Sequence, residues 1–126
     1  MDDKQRNLNE FRFLEWPVYK DSQKIVKDIF KITSELPSQF KYDLGNQINR
    51  AAMSIVLNIA EGSGKHSDAE LNRFFNISLG SINEVVAALD IAVSNNLIVS
   101  KKFEELVEKL QNISHQLVGF KKQLDR

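Results

Sequence analysis

No cysteine occurs in the 126 residues, and there are only two prolines, five glycines and one tryptophan. Without thiols the chain has neither a disulfide framework nor thiolate metal ligands, a composition compatible with a reducing cytosol. Neither sign of charge predominates: Lys plus Arg and Asp plus Glu number 17 each. No bulk field therefore draws in nucleic acid or a membrane surface, and only a local patch could act that way. No apolar run approaches the ~20 residues that span a bilayer, and the opening MDDKQRNLNE lacks the apolar core of a signal peptide. The expectation is a cytoplasmic protein without a membrane partner. A net charge of zero also favours association, for which an orderly oligomer is one outlet.

The groupings that carry chemistry are missing too. A di-metal carboxylate bundle uses Glu-x-x-His pairs, but Ser63 stands three places before His66 and Asn112 three before His115. Small helical ribonucleases place an arginine four to six residues ahead of a histidine for acid-base cleavage, and neither histidine has one there. No phosphate loop follows a strand, because no strand pattern is convincing, and Gly62-Ser63-Gly64 reads as a helix stop. No nucleophile has a visible base. The chain is expected to be no enzyme, with no metal and no cofactor.

What is present is helical periodicity within one domain, residues 1–126, long enough to bury one continuous core. Residues 1–15 read as a mobile polar segment closing on Phe11, Phe13, Leu14 and Trp16, with Trp16 covering one bundle end. Pro17 suits a first helical turn. Helices are predicted at about 17–35, 44–62, 68–94 and 101–125, with Gly45 as a bend and Ser67-Asp68-Ala69-Glu70 as a capping box. Val18, Ser22, Ile25, Ile29, Ile32 and Leu36 stripe the first helix; Leu71, Phe75, Ser78, Ile82, Val85, Leu89 and Ala92 stripe the third. Leu97, Ile98 and Val99 are expected to plug a bundle end. In the fourth helix Phe103, Leu106, Leu110, Ile113, Leu117, Phe120 and Leu124 alternate spacings of three and four, the seam of left-handed bundles. Short turns between long amphipathic segments predict an all-α, antiparallel up-down-up-down four-helix bundle.

The densest apolar run is QINRAAMSIVLNIAEG, residues 47–62, a helix predicted to be enclosed on all sides. The motif Gln47-Ile48-x-Arg50-Ala51-Ala52, Ser54-Ile55, Asn58-Ile59-Ala60-Glu61-Gly62 is flanked by Tyr42, Leu44 and Gly45, and by Phe74, Gly80, Ser81 and Glu84. It resembles the four-helix bundle proteins encoded by intervening sequences in bacterial 23S ribosomal RNA genes, related to the accessory bundles of diversity-generating retroelements. The similarity spans about 18–98. It implies a subunit that assembles into a ring, commonly a pentamer, and no known catalysis. Asn49 stands where that family more often has a basic residue, and Val56 where proline is common; the lost charge weakens a nucleic-acid role.

Three groups of residues follow as candidates. Gln47, Arg50, Ser54, Asn58 and Glu61 share one polar stripe, read as a hydrogen-bonded network with Glu84 that fixes register within or between subunits. Gly80, with Ala87 on the same face, is expected where another backbone comes close, because mid-helix glycine costs ~1 kcal/mol; the sequence leaves open whose backbone that is. Lys101, Lys102, Lys109, Lys121 and Lys122 give the last helix a small basic excess, a candidate contact for RNA or the ribosome that a ring would repeat.

Overall fold

The computed structural model describes residues 10–124. Within them lie four long helices: α1 (Pro17–Ser34), α2 (Asn46–Ser63), α3 (Asp68–Ser94) and α4 (Ser100–Leu124). Each sequential pair packs together, and α1 also packs on α4, which closes the square. Residue pairs across two of the seams run in opposite directions. Gly62 meets Leu71 while Gln47 meets Glu84 across α2–α3, and Asp21 meets Gln116 while Asp28 meets Lys109 across α1–α4. Thr33 with Asn49 fixes one end of the α1–α2 seam, and Phe75 with Phe120 one end of α3–α4.

The predicted stripes form the core. Ile25, Ile29, Ile48, Ile55, Ile59, Phe75, Val85, Leu89, Leu106, Leu110, Ile113 and Leu117 are all sealed from solvent. Trp16 closes one end, 4.9 Å from Phe120 and 6.2 Å from Phe75, centroid to centroid, in a tilted and edge-on cluster. Pro17 opens α1 after an extended Trp16, since its fixed φ suits a first turn and its missing N–H has no helical partner to lose. Ser67 accepts the Glu70 amide at 3.2 Å and so caps α3. The α3–α4 turn is a Schellman motif: Leu97 N–H donates to Ala92 O at 2.9 Å and Asn96 N–H to Val93 O at 3.0 Å. Asn96 takes the left-handed position, φ 59°, the one positive φ among the described residues.

Several expectations are corrected. Residues 1–9 lie outside the described part, but Arg12–Glu15 form a 3-10 turn, and Arg12 donates from Nε to Ser63 O at 3.1 Å while covering Trp16. That part of the N-terminal segment is tied to the bundle. Gly45 makes no bend; it is helical, ending a π-helix (Lys41–Gly45) that runs directly into α2. Gly64 is not a left-handed cap, because its φ is −87°. Val99 does not plug the bundle; it is exposed, unlike Ile98. The third helix also has the length and mean hydropathy, 1.4 over its best window, to cross a membrane by composition alone. The sequence reading missed this because polar residues are interspersed along it; in the fold its apolar stripe faces the core and Asn76, Asn83, Glu84 and Asp90 face out.

Candidate interaction surface

The polar stripe of α2 divides in two. Its inner half is a directed hydrogen-bond chain on α3: Asn58 Nδ2 donates to Ser54 Oγ at 3.1 Å, and Ser54 Oγ lies 2.8 Å from Ser81 Oγ. Ser81 Oγ in turn donates to Ile77 O at 3.1 Å, which leaves Ser54 as donor in the hydroxyl pair. Beside it Ser78 Oγ donates to Ile55 O at 2.8 Å inside the core. Small hydroxyls let α2 and α3 approach while Ser54, Ser78 and Ser81 each find a partner. Gln47 Nε2 adds a bond to Glu84 Oε1 at 2.6 Å at the solvent edge.

The outer half does not join this network. Glu61 pairs with Lys65 at 3.3 Å on its own side of the loop. Arg50 is exposed and has no carboxylate within reach among the described residues. The predicted Arg50–Glu61–Glu84 network is therefore absent within the subunit. One helical face is wide enough to carry residues 47, 54 and 58 onto α3 while 50 and 61 turn to water.

Within the subunit the close approach lies at Gly62 and not at Gly80. A Cβ at Gly62 would stand 3.0 Å from Leu71 Cδ1 and 3.0 Å from Phe74 Cβ, whereas at Gly80 it would meet nothing of the chain within 4 Å. Gly80 and Ala87 both face solvent, so no intrasubunit packing explains the glycine. Phe74 is itself held between cations, with Lys65 Nζ 5.1 Å and Arg73 Cζ 5.5 Å from its ring.

Within one subunit α2 is not enclosed on all sides. Leu57 is 64% exposed and Met53 39%, and with Phe30, Val26 and Tyr19 of α1 they line an apolar groove of about 270 Å³. Sequence reasoning missed this site because Leu57 and Met53 sit inside an almost continuous apolar run; the spacing 50, 53, 57, a narrow stripe of its own, was the available signal. Asn49, at the position where the resemblance expected a base, accepts from Thr33 Oγ1 at 2.8 Å and closes the α1–α2 seam.

The basic residues of α4 form no patch. Lys102 pairs with Glu105, Lys109 donates to Asp28 at 2.8 Å, and Lys121 donates to Asn76. The Asp28 hydrogen bond and charge hold the Lys109 ammonium above its ordinary 10.5. Lys101 and Lys122 stay exposed but are 21 residues apart, roughly 30 Å along the axis. Elsewhere Lys41 lines a small groove with exposed Phe30 and with Tyr42, which is 80% exposed, and neither it nor Lys27, Lys31 and Arg50 on the flanking turns of α1 and α2 has an ion pair among the described residues. A groove of about 640 Å³ between α1 and α4 carries both signs, Asp21, Lys24, Glu105, Glu108 and Lys109. His66 and His115 are both exposed, and among the described residues no three acidic or histidine side chains are placed to hold a metal ion.

Comparison with known proteins adds the following. The sequence model described as 23S rRNA-intervening sequence protein matches residues 15–119. The crystal structure of a protein of unknown function from the S23 ribosomal protein family of Bacteroides thetaiotaomicron VPI-5482 is similar, with a TM-score of 0.75 at 24% identity, covering 83% of this chain and 98% of that one. No curated protein matches the chain.

Proposed function

Because the chain belongs to the 23S rRNA-intervening sequence protein family, we propose that it is a non-enzymatic, self-assembling four-helix scaffold of the cytoplasm, a pentameric ring being the favoured form. The observation that carries this reading is the apolar surface left uncovered on α2: Leu57, Met53 and the neighbouring Phe30 are each more than a third exposed and adjoin one groove. Contiguous apolar surface of this kind marks contact with another protein. A net charge of zero opposes association only weakly. The test is light scattering after size exclusion across a wide dilution series. A mass of several subunits is the expected result; particles of 14.4 kDa at every concentration would end the proposal.

A second reading, an RNA-associated or ribosome-associated ring, is favoured by one observation. Lys27, Lys31, Lys41 and Arg50 combine free cations with the exposed rings of Phe30 and Tyr42. Cations beside aromatic faces suit single strands, where stacking on one ring contributes about 1–3 kcal/mol per base. The site moves accordingly from the α4 lysines to the α1–α2 corner. A titration with single-stranded RNA at low ionic strength tests it: binding that weakens steeply with salt and with Tyr42→Ala supports the reading, and no binding at low salt removes it.

A further inference from the structure

A second uncovered stripe lies on α3. Ile77, Gly80, Glu84, Ala87 and Ile91 follow spacings of three, four, three and four, the seam a helix presents to a partner helix, yet all five are exposed. Ile77 and Ile91 are 40% and 53% exposed, and Gly80 between them faces open space. A stripe in which Gly80 and Ala87 flank Glu84 is a ridge that another element can approach closely on either side of the carboxylate. It is separated from the groove of Tyr19, Val26, Phe30, Met53 and Leu57 by the hydrogen-bonded Ser54–Ser81 seam.

The charges around the two surfaces are opposite. Lys27, Lys31 and Arg50 stand beside the groove, Glu84 lies on the ridge and Asp90 beside it, none of them in an ion pair among the described residues. Groove against groove would oppose cations to cations, and ridge against ridge carboxylates to carboxylates. Groove against ridge pairs both the apolar stripes and the charges. Resting on the proposal of self-assembly, we infer that the α1–α2 groove of one copy receives the α3 ridge of the next, a head-to-tail contact. Such a contact uses two different surfaces of each subunit, so every bound copy leaves one of each free and the chain of contacts grows until it closes.

Mixing two disabled copies tests this polarity. Leu57→Glu disables the groove and keeps the ridge; Ala87→Glu does the reverse, and both positions are exposed, so the subunit fold is retained. Each variant alone is expected at 14.4 kDa. Their equimolar mixture is expected at twice that mass and no higher, since only one competent contact remains. A wild-type mass for either variant alone, or a mixture that stays at single-subunit mass, overturns the head-to-tail assignment while leaving assembly intact. A wild-type chain that is itself 14.4 kDa sinks assembly as a whole. Should either variant lose its helical circular dichroism, Met53→Glu and Gly80→Glu repeat the experiment on the same two surfaces.

Discussion

Replacing Gly62 by alanine perturbs the tightest approach between α2 and α3. The added carbon would lie 3.0 Å from Leu71 Cδ1, 3.0 Å from Phe74 Cβ and 3.4 Å from Leu71 O. Leu71 Cδ1 could rotate aside, but the Phe74 Cβ is bonded directly to the α3 backbone and the Leu71 carbonyl is part of it, so both move only with the helix. Overpacking of this type costs about 1–3 kcal/mol. Against it stands the gain from alanine in a helix, ~1 kcal/mol in a helix interior, and less here because residue 62 is next to the last of α2. The net expectation is a loss of about 1 kcal/mol, or roughly 4 °C in Tm for a chain of this size. Gly80→Ala serves as the internal control: nothing lies within 4 Å of its Cβ, so the subunit should gain up to ~1 kcal/mol. Urea unfolding of both variants in the Leu57→Glu background, where the subunit stands alone, gives the comparison. A Gly62→Ala midpoint at or above wild type would refute the packing argument.

Four other outcomes are expected. A double-mutant cycle of Ser54→Ala and Ser81→Ala should return a coupling of about 1 kcal/mol, because either single variant removes the same bond between the two hydroxyls; a coupling of zero in the urea midpoints removes the bond from the account. Asn96→Ala should lower stability by about 1 kcal/mol, since alanine tolerates the φ of 59° less well than asparagine, whereas Asn96→Gly should not; thermal melts decide. Arg50→Ala should leave the urea midpoint of the subunit within about 0.5 kcal/mol but reduce the assembled mass, and a large loss of subunit stability would restore an internal network. Lys109→Met should cost only a few tenths of a kcal/mol, as for exposed pairs. Because the folded state raises the Lys109 value above 10.5, that contribution is complete below the unfolded value and lost as pH rises through the folded one. Wild type and variant should therefore converge in stability only in strongly alkaline solution, and a difference that vanishes at pH 7 would contradict the pairing.

Where the sequence has one strong period, it predicts the fold well. The α4 seam from Phe103 to Leu124 and the α1 stripe from Val18 to Leu36 appear in the core as read, because a helix that packs on one side must carry its apolar residues at that spacing. Trp16 and Ser67 were equally legible, one from an aromatic beside a helix-starting proline, the other from a local hydrogen bond that involves no distant residue. α2 was less legible. An almost continuous apolar run has no unique inner face, so Leu57 and Met53 could be assigned to the core until α1 and α3 were in place. Gly62 and Gly80 illustrate the same gap: both are glycines in helices, and only the docking of α3 onto the end of α2 decides which one meets a neighbour. The π-helix at Lys41–Gly45 has no residue pattern of its own, and its hydrogen-bond register is set by how the chain enters α2.

The uncovered groove and ridge bear on one quantity above all, the mass of the native particle. Native mass spectrometry of the wild-type chain at near-neutral pH and moderate ionic strength measures it directly. The account predicts a closed multiple of 14.4 kDa, five subunits being favoured, with little intermediate; a spectrum holding only the single-subunit mass would contradict it.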